Sequence, residues 1–151
     1  MTIGQQVVEF ARGHMNQRVG RRGECFDFAD QALRAAGAAS AADYGQVTAN
    51  ADYQWGLSVM LSSVRPGDIV QFRNYRVEID NEEGEGFETR GNPNHTAIVA
   101  SVGENGVIEV FEQNVRSIRR VKRNTLYFES GDGISVTGQF TFYRPQPRGE
   151  D

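Results

Sequence analysis

The amino-acid sequence predicts an α+β domain in which N-terminal helices pack on an antiparallel β-sheet. Three observations lead to this fold class. Apolar residues recur at helical spacing over residues 2–17 and again over 25–36. From Arg65 onward the pattern changes to short apolar runs separated by turn residues, which is typical of successive antiparallel strands. No internal repeat or linker divides the 151 residues, so one domain is expected over 1–151.

The composition limits the classes of protein to consider. With 24% charged residues and a net charge of −4, the chain is not expected to bind nucleic acid in general. The single cysteine, Cys25, excludes an intramolecular disulfide. No metal site or cofactor is expected, because only Cys25, His14 and His95 could supply thiolate or imidazole ligands. There is no signal-peptide pattern and no apolar run of membrane-spanning length, so we expect no membrane contact, and either a cytoplasmic location or export by another route.

The second predicted helix carries the candidate nucleophile. The first helix begins with a capping box of Thr2 and Gln5. The second begins at Cys25 and ends before Gly37, a residue type common after helix C-termini. A helix N-terminus lowers the pKa of a thiol, so Cys25 could react as a thiolate. Alternatively Cys25 is a small buried apolar residue, which is the commoner role of a lone cysteine.

The strand region begins with the turn Arg65–Asp68. Strands are predicted, in chain order, over 69–72, 95–102, 107–114, 116–121, 125–129 and 134–143. The acidic, glycine-rich residues 80–88 indicate an exposed loop or a long hairpin tip, and Asn92–Asn94 a further turn. A basic patch indicates a solvated strand face or, less often, a docking surface for an anionic partner; it comprises Arg116, Arg119, Arg120, Lys122 and Arg123. A tail follows from Pro145.

The hairpin over residues 95–114 brings polar side chains together. Its turn is the glycine-containing segment 103–106, so its open end places residues 112–114 beside His95. Alternation along the return strand puts four residues on one face: Ile108, Val110, Glu112 and Asn114. If the two apolar residues face the helices, the two polar ones point the same way, next to His95.

These positions suit nucleophilic catalysis. A cysteine nucleophile needs a base, and that base needs an acceptor that orients it. Cys25, His95 and either Glu112 or Asn114 are candidates for the three roles. The alternative for His95 is an ordinary strand-end histidine bonded to the backbone. His14 has no carboxylate at a matching position and is interpreted as a packing residue.

Several segments resemble CHAP domains, which belong to the papain-like group that includes the NlpC/P60 amidases. In order they are Gly23-Glu24-Cys25 at a helix start, 65–72, 95–99 and Glu112-Gln113-Asn114. The likeness is greatest to the papain-like domain at the end of fungal BBC1-type actin-patch proteins and in related bacterial proteins. It rests on Gln71-Phe72-Arg73, 93–99, 112–114 and Tyr143-Arg144-Pro145.

The resemblance implies a papain-like fold with helices on an antiparallel sheet or half-barrel. It also implies that Cys25 is the nucleophile, His95 the base, and Glu112 or Asn114 the orienting residue of a peptidase or amidase. The substrate class would be an amide bond, often in peptidoglycan peptides. Glu24 stands where CHAP amidases usually have glutamine, and a carboxylate close to a thiol raises its pKa.

The sequence therefore leaves two candidate functions. The first is a cysteine hydrolase that cleaves an amide bond in a peptide or peptidoglycan fragment. The second is a catalytically weak or inactive module that binds a peptide or protein partner. Glu24, Trp55 and Asn94 are the candidate substrate-binding residues. The aromatic residues between Tyr44 and Trp55 could line a groove, or they could cover the edge of the core.

Overall fold

The computed structural model describes residues 1–48 and 51–149. In this part of the chain, helices precede a set of strands: α1 (Ile3–Gly13), α2 (Cys25–Ala35), α3 (Ala41–Tyr44), β1 (Leu57–Val59), a 3-10 turn (Leu61–Ser63), β2 (Ile69–Asn81), β3 (Gly84–Val102), β4 (Val107–Glu112), β5 (Lys122–Tyr127) and β6 (Ile134–Arg144). The predicted α+β class is confirmed. None of the helices in the described residues combines the length and apolar character that crossing a membrane requires.

Helix α1 starts as predicted and ends early. Its capping box is formed, with the Gln5 amide 3.1 Å from Thr2 Oγ1 and the Thr2 amide 2.8 Å from Gln5 Oε1. The helix ends at Gly13 rather than near 17, because Asn16 adopts a φ of 63° and its N–H donates to the carbonyl of Val121, the residue before β5. His14 lies at this end and stacks on the Phe10 ring at 4.1 Å.

The strands form one antiparallel sheet in the order β1-β6-β2-β3-β4-β5. The predicted meander holds from β2 to β5, but β6 returns to pair with β2, placing Ile69 opposite Tyr143. Residues 80–88 form the mostly exposed tip of the long β2–β3 hairpin, with Asn81 opposite Gly84, which is the second of the two predicted alternatives. The turn predicted over Asn92–Asn94 is wrong, because these residues lie within β3 beside a register shift.

The strand predicted over 116–121 is also wrong. Arg116 and Ser117 have φ values of 53° and 63°, and the Ile118 N–H donates to the Val115 carbonyl at 3.0 Å. Positive φ at both central residues is the backbone of a tight type I′ turn. Strand β5 starts only at Lys122, so much of the basic patch lies on this turn and the segment after it.

Two apolar cores lie on opposite faces of the sheet. The first is shared by the helices and the sheet and includes Phe28, Leu33 and Phe111. The second contains only residues of strands and their connections, among them Ile108 and Val110. The expectation that these two residues face the helices is therefore wrong. Glu112 still shares their face, since strand side chains alternate.

The segment after Pro145 is not a free tail. The N–H of Ala39 donates to the carbonyl of Gln146 at 2.9 Å, and the N–H of Arg148 donates to that of Gly37 at 3.1 Å. These bonds hold the described residues of the C-terminal segment beside the end of α2.

Candidate active site

Cys25 is the first residue of α2 and is half-buried. The loop in front of it is fixed by Gln113, which follows β4 and is fully buried. Gln113 Oε1 accepts from the Val19 N–H at 2.8 Å, and its Nε2 donates to the carbonyls of Val19 and Glu24, each at 2.9 Å. Because a buried amide with three bonds has one stable orientation, Gln113 sets the position of the helix start relative to the sheet.

His95 lies between the Cys25 thiol and Glu112. Its Nε2 is 3.0 Å from Glu112 Oε1, and it lies close enough to the Cys25 thiol for each group to shift the pKa of the other. Since Nε2 is engaged by the carboxylate, Nδ1 is the ring nitrogen available to the sulfur. His95 is 6% exposed and Glu112 is fully buried. The three candidates for nucleophile, base and acceptor thus lie in one row.

The Glu112 carboxylate has further donors. Arg90 binds it with two bonds, Nε to Oε1 at 2.9 Å and Nη2 to Oε2 at 2.7 Å. Asn124 Nδ2 donates to Oε2 at 2.8 Å. Arg90 and Asn124 were not among the predicted site residues. No sequence pattern marks them, because Arg90 precedes Glu112 by 22 positions, in a segment without an assigned strand, and Asn124 lies on the next strand.

The charges of this row favour an ion pair. Burial lowers the pKa of His95, but its bonds to Cys25 and Glu112 outweigh burial and raise that pKa to about 9. Burial raises the pKa of Glu112, but His95 and Arg90 lower it to about 2. Burial also raises the pKa of the Cys25 thiol. The His95 bond and charge, with the main-chain N–H groups of Thr96 and Phe26, lower it to below its ordinary value. A thiolate beside an imidazolium is the state these shifts favour.

Asn114 lies apart from this row. It begins the turn after β4, with a φ of 66°, and its main-chain N–H donates to the carbonyl of Ile118 at 2.9 Å. The acceptor that His95 contacts is Glu112.

The predicted substrate-binding residues occupy different surroundings. Glu24 is half-buried at the N-cap of α2, and its N–H donates to Asp27 Oδ2 at 3.3 Å. Asn94 precedes His95, and its side-chain amide donates to the carbonyl of Ala51. Trp55 is fully buried, and its Nε1 donates to Gln71 Oε1 at 2.8 Å. Trp55 therefore supports the wall of the site from inside the core.

Aromatic residues beside Cys25 form a small cluster. The Phe26 ring lies 5.0 Å from Tyr53 and 5.4 Å from Trp55. Burial raises the pKa of Tyr53, and the negative charges of Cys25 and Glu24 raise it further. The segment that contains Tyr53 thus packs on Phe26, the residue that follows Cys25.

Within residues 1–48 and 51–149, no group of three or more His, Cys, Asp or Glu side chains could hold a metal ion. The candidate chemistry is that of the thiol, the imidazole and the carboxylate.

Comparisons with known proteins show the family of this chain. The structure titled "The crystal structure of Ly7917" matches with a TM-score of 0.58 and 18% identity, over 96% of this chain and 63% of that chain. At this identity the likeness shows the fold alone, and the chain spans less than two thirds of that structure. No curated protein matches. A family model described as the AIM3/BBC1 cysteine proteinase-fold domain matches residues 1–149, which confirms the resemblance to the BBC1-type domain. The chain therefore belongs to the AIM3/BBC1 cysteine proteinase-fold family.

Proposed function

We propose that this chain is a cysteine hydrolase of papain-like mechanism that cleaves an amide bond. The observation that carries the proposal is the row Cys25–His95–Glu112, in which His95 bonds Glu112 at 3.0 Å and lies close enough to the Cys25 thiol for each to shift the pKa of the other. The proposed substrates are peptides, with the peptide part of peptidoglycan as the first class to test. This choice follows the likeness of the sequence to CHAP and NlpC/P60 amidases.

The proposed reaction uses the three side chains in turn. The Cys25 thiolate attacks the carbonyl carbon of the amide, and the carbonyl oxygen becomes an oxyanion that the Cys25 N–H stabilises. The His95 imidazolium gives its proton to the amide nitrogen, the C–N bond breaks and the amine leaves, with a thioester on Cys25. Neutral His95 then takes a proton from water, and the resulting hydroxide attacks the carbonyl carbon of the thioester. The C–S bond breaks, the carboxylic acid leaves, and the Cys25 thiolate and His95 imidazolium are restored.

Glu112 serves as the orienting residue in this proposal. As a buried carboxylate it fixes one nitrogen of the His95 ring and stabilises the positive charge of the imidazolium. Its own position is fixed by Arg90 and Asn124, so the acceptor does not rotate away during the reaction. Asn114 and Trp55 take no direct part, while Glu24 and Asn94 flank the Cys25 and His95 positions along the chain.

The test combines a covalent probe with substrates. The purified protein is treated with a peptide aldehyde or chloromethyl ketone and examined by mass spectrometry. It is then incubated with model peptides and with purified peptidoglycan fragments. We expect an adduct on Cys25, product peptides with a new amine, and neither result with Cys25→Ala. Cleavage that persists in Cys25→Ala, or no adduct and no cleavage at all, would contradict the proposal.

A second candidate function is peptide or protein binding without catalysis. The observation that favours it is limited access: His95 is 6% exposed, Cys25 is half-buried, and Tyr53 packs on Phe26 next to Cys25. A binding module does not need a thiolate. In that case a folded Cys25→Ala variant would bind a peptide partner as tightly as the wild type, while the wild type releases no product from any of the substrates.

A further inference from the structure

A cavity of about 320 Å³ lies beside Glu112, and neither Cys25 nor His95 lines it. Its walls come from the first half of β3, the end of β4, the turn after β4 and strand β5. The charged members of the lining are Glu88, Arg90, Glu112, Arg116, Arg120, Lys122 and Arg123. The cavity shares Arg90 and Glu112 with the candidate active site, and it has its own cationic rim.

The carboxylates of the cavity are already engaged. Glu112 is bound by Arg90 and Asn124. Glu88 is bound by Arg90 Nη1 at 2.9 Å and by Arg116 Nη2 at 2.6 Å. Two carboxylates therefore face five cations, and the lining carries an excess of positive charge.

The excess positive charge is concentrated on Arg120 and Lys122. Among the described residues neither has an ion-pair partner, and Lys122 Nζ bonds only the neutral Asn16 Oδ1, at 2.7 Å. Arg123, by contrast, pairs with Glu109 at 3.0 Å. Net charge does not explain this patch, since the chain as a whole carries −4. A concave cationic site on an acidic protein attracts anions locally.

We propose that this cavity binds an oxyanion, a carboxylate or phosphate group, between Arg120 and Lys122. A guanidinium offers a planar fork that matches either group, and an ammonium adds a point charge. Arg116 extends the cationic wall, and the buried Arg90 lies at the floor. The oxyanion could be free in solution or could be carried by an acidic side chain of a peptide, and the test separates these sources.

The experiment is an NMR titration of the ¹⁵N-labelled protein with sodium phosphate at constant ionic strength. It is repeated with a short peptide containing two aspartates and with the same peptide containing two asparagines. We expect saturable amide shifts confined to the cavity lining, which is residues 115–125 with Glu88, Arg90 and Glu112. In the double variant Arg120→Gln/Lys122→Gln the dissociation constant should rise about tenfold or more, as expected for loss of charge-assisted bonds. Higher salt should weaken binding as well.

The control variant is Arg65→Gln, which removes an exposed arginine outside this cavity and should leave the dissociation constant unchanged. Circular dichroism checks that both variants are folded. Saturation by phosphate alone would identify a free oxyanion, and competition between phosphate and the aspartate peptide would identify a peptide carboxylate. Either result supports the site. No saturable shift with any probe, equal binding of the asparagine peptide, or equal loss in Arg65→Gln would overturn it.

The inference is independent of the proposed hydrolase activity. The titration is therefore also performed with Cys25→Ala, and the dissociation constant should match that of the wild type. A hydrolase that shows no oxyanion binding would contradict only this inference, and an inert protein that binds phosphate would contradict only the proposed function.

Discussion

Arg90 holds Glu112 with two parallel hydrogen bonds of 2.9 and 2.7 Å, and the same carboxylate lies 3.0 Å from the His95 ring. The arginine is 5% exposed and the glutamate is fully buried. A buried carboxylate with several donors is fixed in both position and charge. The position of His95 therefore depends on Arg90 through Glu112, although no hydrogen bond among the described residues joins Arg90 to His95 directly.

The first prediction concerns the charge of His95. In Glu112→Gln the imidazolium loses one of its two negative partners and keeps only the Cys25 thiolate, while burial continues to favour the neutral ring. We expect the pKa of His95 to fall from about 9 towards or below its ordinary value of 6.5. The measurement is an NMR titration of the imidazole protons, with His14 as the internal reference in the same spectra. An unchanged pKa of His95 would show that Glu112 does not stabilise its charge.

The second prediction concerns stability. Arg90→Met removes one partner of a buried ion pair and leaves Glu112 with less compensation, so we expect a loss of about 3–5 kcal/mol in the free energy of unfolding. The matched control is Arg76→Met, in the neighbouring strand β2. Its partner Glu78 is 60% exposed, so we expect a loss below about 1 kcal/mol. Urea unfolding measures the free energy of unfolding of both variants.

Adding Glu112→Leu to Arg90→Met should recover part of the lost stability, because it removes the uncompensated charge. Equal losses in Arg90→Met and Arg76→Met, or no recovery in the double variant, would contradict a strong buried pair.

The third prediction is the pH dependence of stability. The pKa of Glu112 is lowered from 4.5 to about 2, so its contribution is present above pH 4.5 and is lost as pH falls towards 2. The pKa of His95 is raised from 6.5 to about 9, so its contribution is present below pH 6.5 and is lost as pH rises towards 9. The free energy of unfolding against pH should decline on both sides of a central region.

The two variants should affect the limbs differently. His95→Gln should flatten the alkaline limb and keep part of the acid limb, because Arg90 still lowers the pKa of Glu112. Glu112→Gln should flatten both limbs, because it also removes the carboxylate that raises the pKa of His95. Both variants are measured by urea unfolding at fixed pH. If both variants keep the wild-type dependence of stability on pH, groups other than Glu112 and His95 control it, and the assignment of the limbs to these two residues is wrong.

The fourth prediction concerns Gln113. Gln113→Ala leaves the Val19 N–H and the carbonyls of Val19 and Glu24 without their partner, so the loop before Cys25 should loosen. We expect a slower reaction of Cys25 with iodoacetamide at pH 7, by about tenfold, with the protein still folded. Gln146→Ala is the control, since that amide bonds only carbonyls of its own segment. Equal rates in Gln113→Ala and wild type would contradict a positioning role.

Part of the site could be predicted because it depends on local patterns. The helix start at Cys25 follows from helical spacing, and the closeness of His95 and Glu112 follows from the hairpin that joins their strands. The side of the sheet that carries Ile108 and Val110 was predicted wrongly, because both residues belong to the core on the side away from the helices. The relative position of His95 and Glu112 was unaffected, because alternation fixes which residues share a face, whichever face that is.

The remaining features depend on contacts distant in sequence. Arg90 reaches Glu112 across 22 positions, and Gln113 reaches Val19 across 94. Neither contact leaves a periodic signal. The turn at Arg116 and Ser117 was missed because type I′ turns usually carry asparagine or glycine, and these residues carry a positive φ without that signature.

The most direct test of the ion pair is the rate of Cys25 alkylation against pH, in wild type and in His95→Ala. Because Cys25 is the only cysteine in the chain, the alkylation rate measures the reaction of Cys25 alone. We expect a wild-type midpoint below the ordinary thiol pKa of 9.0, and a midpoint at or above that value once His95 is removed. The same midpoint in both proteins would mean that His95 does not lower the pKa of the thiol, and would contradict the catalytic interpretation of this site.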